Sequence, residues 1–248
     1  MDLQAELAID AASLAAQTIL ECSGEIYRAE ETAIRMCGAF GIERAEIMCF
    51  PTGFTLHAKT PDGANHTRIK RVRDRNIQLR ALDEVNRISR RCCDGSMDAE
   101  AAMRALTALR EAPAQRNSAK ILAFAVSAGF FSVMFGGGFR EFLLAFVGGA
   151  LAQAIVPLLA RLRSPAALVS LACAFTASAA SLGLIALFGG SQEAVITGAI
   201  MPLLPGLAAT NAVRDTMRGD LVSGMARTTE ALLSAVLISA GVAIALML

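Results

Sequence analysis

The sequence predicts an α-helical membrane protein of five transmembrane helices, carrying an amino-terminal cytoplasmic α+β domain that contains a small β-meander. Three observations point there. Of the 248 residues, 54% are hydrophobic and only 18% charged, where an ordinary soluble domain carries about 25% charged residues. The charge is concentrated at one end, with residues 1–120 holding 17 of the 23 Lys+Arg and 17 of the 22 Asp+Glu. The remaining half contains five long charge-free windows. A wholly soluble globule and a disordered or collagen-like chain are both excluded. A formal net charge of +1 gives no case for bulk nucleic-acid binding. The six cysteines (Cys22, Cys37, Cys49, Cys92, Cys93, Cys173) show no CxxC spacing and read as reduced thiols. Met1 to Ile9 lacks the basic and apolar regions of a signal peptide.

The expected amino-terminal domain covers residues 1–116. An apolar stripe of Leu3, Leu7, Ala11 and Leu14 predicts an amphipathic helix over 3–22. A second helix, about 26–40, carries Ile26, Ala29, Ala33, Met36, Cys37 and Phe40 and is stopped by Gly41. The period then changes to two. Residues 45–50 and 54–59 read as strands around Pro51-Thr52-Gly53, with Phe54, Leu56 and Ala58 alternating against Thr55, His57 and Lys59. Asp62-Gly63 marks a turn, and 67–72 is a third strand. Helices return at about 76–92 and 98–110, until Pro113 opens a linker. Nine basic residues fall between Arg68 and Arg91 against three acids. With no aromatic interleaved, this segment suits a solvated helix face near anionic lipid better than RNA. His57 and His66 lack metal-ligand spacing, so no metal is expected. Phosphate-loop, nucleophile-elbow and dinucleotide fingerprints are absent from the sequence, and no cofactor is expected.

The membrane half, 117–248, is expected to hold spans at about 121–139, 142–160, 166–188, 194–213 and 231–248, each near the roughly 20 residues that cross a bilayer. Arg116 and Lys120 precede the first span, Arg161 and Arg163 follow the second, and Arg214, Arg218 and Arg227 separate the fourth from the fifth. The positive-inside rule therefore puts the amino terminus in the cytoplasm and the carboxyl terminus outside. Gln153 and Pro157 lie inside the second span, while Pro202, Pro205 and Gly206 interrupt the fourth. Each proline removes a backbone donor and frees a carbonyl, and interrupted helices of this kind build substrate sites in transporters. The fourth span is expected to break between Pro202 and Gly206.

The run Glu21 to Glu30 (ECSGEIYRAE), Pro51-Thr52-Gly53-Phe54, Thr67-Arg68-Ile69 with Arg71, Arg75-Asn76-Ile77 and Glu84 to Arg90 (EVNRISR) resembles the threonine/serine exporter (ThrE) family. So do Pro205-Gly206, Thr210-Asn211, Arg214-Asp215, Gly219-Asp220, Ser223-Gly224, Arg227 and Glu230-Ala231 in the membrane half. The resemblance runs through nearly the whole chain in order, with Ala29 standing where a valine is common. It implies an inner-membrane efflux protein for threonine and serine or, in some lineages, small dicarboxylates such as succinate. Some members carry both halves in one long chain, and others split them between a chain of this length and a smaller membrane subunit. Five spans fit the split arrangement, so the expected partners are a second small membrane subunit, a homo-oligomer, or both, together with membrane lipid.

On this reading there is no catalytic residue. The expected substrate path runs through Pro205, Gly206, Asn211 and Asp215, then Asp220, Arg227 and Glu230, with Gln153 and Pro157 on a facing helix. The resemblance adds a cytoplasmic-domain motif of Glu25, Tyr27, Arg28, Glu30, Arg71, Arg75, Asn86 and Arg87. Two other classes compete. A membrane-tethered hydrolase working through Glu25, Glu30 or His57 needs two groups converging on a substrate, whereas Glu25 and Arg28 at helical spacing pair with each other. A sensor or gating subunit without its own path is the third reading.

Overall fold

A computed structural model of the chain describes residues 3–42, 44–73, 75–113 and 115–248. Residues 1, 2, 43, 74 and 114, which include the first residues of the expected domain and part of its linker, lie outside the described set. The chain falls into two compact units, one of Met1–Pro113 with Leu207–Thr228 and one of Ala114–Gly206 with Thr229–Leu248.

The first unit begins with α1 (Leu3–Glu21) and α2 (Ile26–Ala39), followed by β1 (Arg44–Phe50), β2 (Gly53–Lys59) and β3 (Asn65–Arg71), then α3 (Leu79–Cys93) and α4 (Ala99–Glu111). The strands form the expected antiparallel meander in the order β1-β2-β3, with Leu56 opposite both Ile47 and Arg68. Phe54, Leu56 and Ala58 point into the core, and Thr55, His57 and Lys59 are exposed. Gly53 permits the hairpin's close approach, since a Cβ there would lie 2.5 Å from the Lys70 carbonyl oxygen. The predicted stripe on α1 needs correction. Ala11 is buried as expected, but Leu3 is exposed and Leu7 and Leu14 only half-buried, while Ala8, Ile9, Ala12, Ala16 and Ile19 are buried as well. The helix packs against α2, α3, α4 and the sheet. A central helix is covered on several sides, so its small residues become the contact surface and a single leucine stripe no longer describes it. On α2 the predicted inward residues Ile26, Ala29, Ala33, Met36 and Cys37 are all buried. All six cysteines are free thiols, with Cys93 alone exposed.

The second unit contains α5 (Asn117–Met134), α6 (Phe139–Ala154), α7 (Val156–Arg161), α8 (Ala166–Phe188), α9 (Gln192–Ile200) and a 3-10 turn at Met201–Leu203. After it come α10 (Gly206–Met217), in the first unit, and α11 (Leu221–Leu246), which begins in the first unit and ends in the second. Among the described residues, four helices are long and apolar enough to cross a membrane, and a fifth span is made if α9 and α10, bent by 55° at their break, count as one. That bend falls at Pro202–Gly206, as the two prolines require.

Several span boundaries differ from expectation. The first helix occupies Asn117–Met134, not 121–139, and the second starts at Phe139. The charge-free window runs through Gly136–Gly138, and Gly136 takes a positive φ of 88° that ends the helix. The last helix starts at Leu221, ten residues before the expected 231, because a helix does not stop at its first charges. Arg227 and Glu230 are therefore helical and not in a loop. Within the second unit small residues set the packing. A Cβ on Gly198 would lie 2.6 Å from the Ser132 backbone nitrogen, and one on Gly148 would lie 3.2 Å from the Ala177 carbonyl oxygen. Such contacts substitute for a hydrophobic drive that lipid does not provide. Glu141 accepts from the Gly138 N–H at 2.8 Å and the Ser191 N–H at 3.2 Å, tying two interhelical loops together.

Candidate functional site

The sequence-predicted residues that converge lie in the first unit, where the α1–α2 turn meets the α10–α11 hairpin. The turn is shaped by Ser23, in the left-handed region at φ 60°, and by Gly24, whose N–H donates to the Ile19 carbonyl at 2.9 Å. A Cβ on Gly24 would sit 2.9 Å from that same carbonyl oxygen. The turn thus leaves its own carbonyls free to face the hairpin. Asn211 Nδ2 donates to the Ser23 carbonyl at 3.0 Å, and Arg227 Nη2 donates to the Gly24 carbonyl at 2.6 Å.

Between these contacts lies a dry ion pair. Arg227 Nε is 3.1 Å from Asp215 Oδ2, with the side chains 4% and 0% exposed. The contact is an ion pair and not a well-aligned hydrogen bond. The Ile26 N–H at the first turn of α2 adds to the attraction on the carboxylate, as the positive end of a helix dipole does. Removing two charges from water costs several kcal/mol per ion, and only their mutual attraction and local hydrogen bonds offset it. Beside the pair, Glu25 is buried and binds both Arg28, at 2.9 Å, and Arg214. The Arg218 guanidinium stacks on the Tyr27 ring, 3.6 Å from its centroid.

Glu30, one turn further along α2, accepts from the Cys49 N–H at 2.8 Å. Burial pushes its carboxyl above the usual glutamate range, the Cys49 hydrogen bond opposes this, and the charges of Asp220 and Asp215 add to it. Asp220 closes the hairpin. Its N–H donates to the Asp215 carbonyl at 3.0 Å, and its own carbonyl accepts from the Gly224 N–H at 2.8 Å. Gly224 lets the two arms cross closely, for a Cβ there would lie 3.1 Å from the Thr216 backbone nitrogen.

A family model covers residues 10–248 of the chain, that of ThrE, described as "Putative threonine/serine exporter". The chain belongs to the ThrE family. It is accordingly a multi-pass membrane protein of a transporter family. No curated protein and no solved structure matches it.

Of the residues that the resemblance singled out, Glu25, Tyr27, Arg28 and Glu30 all lie on the turn or the first turns of α2. Asn211, Asp215, Asp220 and Arg227 complete the same cluster. The remaining motif residues are elsewhere in the unit: Arg71 ends β3 opposite Gly53, half-buried Arg75 follows it, and half-buried Asn86 and exposed Arg87 are on α3. Arg87 is taken up by Glu84, three residues back. Pro205 and Gly206 mark the break before α10, Glu230 lies on α11 one turn beyond Arg227, and Gln153 and Pro157 line a cleft in the second unit. Arg214 and Arg218, which the sequence reading placed beside the fourth span but not in the expected path, join the cluster through Glu25 and Tyr27. Their spacing carried a signal, since Asn211, Arg214, Asp215 and Arg218 fall on neighbouring faces of one helix at i, i+3, i+4 and i+7. Nothing in the sequence placed the Ser23 carbonyl opposite Asn211 or the Gly24 carbonyl opposite Arg227.

Proposed function

We propose that this chain is one subunit of a secondary exporter that moves threonine, serine or a similarly small carboxylate out of the cytoplasm, with its amino terminus inside, its carboxyl terminus outside, and a second small membrane subunit or second copy completing the path. The observation that carries the reading is the solvent-sealed Asp215–Arg227 pair on the hairpin that follows the proline break. A zwitterionic amino acid presents the same two charges as the pair itself. Its carboxylate suits Arg227 and its ammonium suits Asp215, so substrate entry exchanges one ion pair for two and leaves no buried charge uncompensated. Small dicarboxylates lack the ammonium and would draw instead on Arg227 with Arg214. The Ser23–Glu25 turn grips the hairpin at Asn211, Arg214 and Arg227, which supports a gating role for the amino-terminal domain.

Counterflow in proteoliposomes, with and without a co-expressed partner, tests this across threonine, serine, alanine and succinate. Exchange of threonine and serine that disappears in Asp215→Asn at normal membrane insertion is the expected result. Exchange unchanged by that substitution would place the path elsewhere.

A further inference from the structure

The second unit contains a cleft of about 390 Å³ at the start of α5 and the end of the α6–α7 run, lined by Asn117, Lys120, Gln153, Pro157 and Arg161 among others. Its volume lies within the range of small-ligand sites. Its lining is one-sided in charge, with two cations, two amides and no acid. Among the described residues, neither Lys120 nor Arg161 is engaged in an ion pair, in contrast to Arg28, Arg87 and Arg227. The amino end of α5 opens at Asn117, so the helix dipole adds positive potential from the same side. The cleft lies beside the point where α6 passes into α7 at Ile155, and Pro157 there cannot donate a backbone hydrogen bond into the ladder. Two cations lining one cleft without an acid are costly beside hydrocarbon unless an anion or water meets them.

We propose that this cleft is an oxyanion site that holds the phosphate of an anionic phospholipid. The ligand chemistry follows from the donors, because Lys120, Arg161 and the amides of Asn117 and Gln153 all donate to oxygen. Position selects the lipid over a free anion. Lys120 stands in the first turn of one apolar helix and Arg161 ends the next, so the cleft opens where the apolar surfaces of both helices end. Basic pockets between membrane helices at that level hold acidic headgroups. Gln153 and Pro157 thereby acquire a role separate from the ion-pair cluster on α10 and α11.

The test is native mass spectrometry of the full chain released from micelles, titrated in parallel with phosphatidylglycerol, phosphatidylcholine, inorganic phosphate and succinate. Phosphatidylglycerol is expected to be retained in preference to phosphatidylcholine. Lys120→Gln with Arg161→Gln should weaken its retention on the order of tenfold, and the charge-preserving pair Lys120→Arg with Arg161→Lys should keep it. If the double glutamine variant does not insert, Arg161→Gln alone against Arg161→Lys reads the same contrast. Equal retention of the two lipids, or equal retention by wild-type and glutamine variants, overturns the proposal. A phosphate or succinate adduct lost in the glutamine variants while phosphatidylglycerol retention stays unchanged overturns it too, making the cleft a soluble-anion site.

Discussion

Asp215 and Arg227 face each other across the α10–α11 hairpin at 3.1 Å, both sealed from solvent, and the guanidinium also reaches the Gly24 carbonyl at 2.6 Å. Breaking such a pair from one side leaves a buried charge without its counterion, at a cost of about 3–5 kcal/mol. Arg227→Met and Asp215→Leu should each lower the thermal midpoint strongly in detergent. The double variant Asp215→Leu/Arg227→Met should recover most of that stability while export stays lost. Recovery of stability and export together would show the pair to be structural only.

Gly224 allows a helix crossing that no side chain fits. Gly224→Ala should destabilise the hairpin by about 1–3 kcal/mol, the usual range for overpacking. Thermal unfolding reads the effect, and an unchanged midpoint would mean that α11 is free to shift away from Thr216.

Glu30 provides a pH signature. Its folded-state pKa is raised, chiefly by burial, so the carboxyl favours folding most when protonated, below its ordinary value. That contribution is lost as the pH rises through the raised value. Glu30→Gln keeps an oxygen acceptor for the Cys49 N–H and cannot ionise. It should therefore be more stable than wild type at neutral pH, with the difference shrinking toward zero on acidification below about 4.5. Chemical unfolding across that range checks the sign. A variant less stable than wild type at pH 7 would mean that the ionised form is the favoured one.

The prolines at the α9–α10 break offer a functional test. Replacing Pro202 and Pro205 together by alanine restores two backbone donors and removes the ring clashes, so α9 and α10 should approach one continuous helix. Cysteine cross-linking across the break should report a smaller bend than 55°, and counterflow should fall even though the protein is no less stable.

Much of this was legible in the residues. Alternation at Phe54, Leu56 and Ala58 named the core face of β2, and Pro202 with Pro205 located the break in the fourth apolar stretch. Local periodicity and turn chemistry decide such features, and both are written in adjacent positions. The errors have a common cause. Counting between charges stopped the last span at Glu230, although a helix carries charged side chains readily when partners meet them, as Asp215 meets Arg227. The α1 stripe failed because coverage of that helix from several sides is a tertiary property. Within the cluster, Asn211 and Asp215 stood out on one helix, but the hydrogen bonds of Asn211 to the Ser23 carbonyl and of Arg227 to the Gly24 carbonyl join positions about 190 to 200 residues apart, and no local pattern encodes such a pairing.

The continuity of α11 has a mechanical consequence. From Leu221 to Leu246 the helix runs for 26 residues without a proline or a break, so the close packing of its far end fixes how that end can move. Gly241 rests so close to α8 that a Cβ there would meet the Leu171 carbonyl oxygen at 2.5 Å. Within the second unit, any residue larger than glycine at 241 would have to push the end of α11 off the α8 backbone.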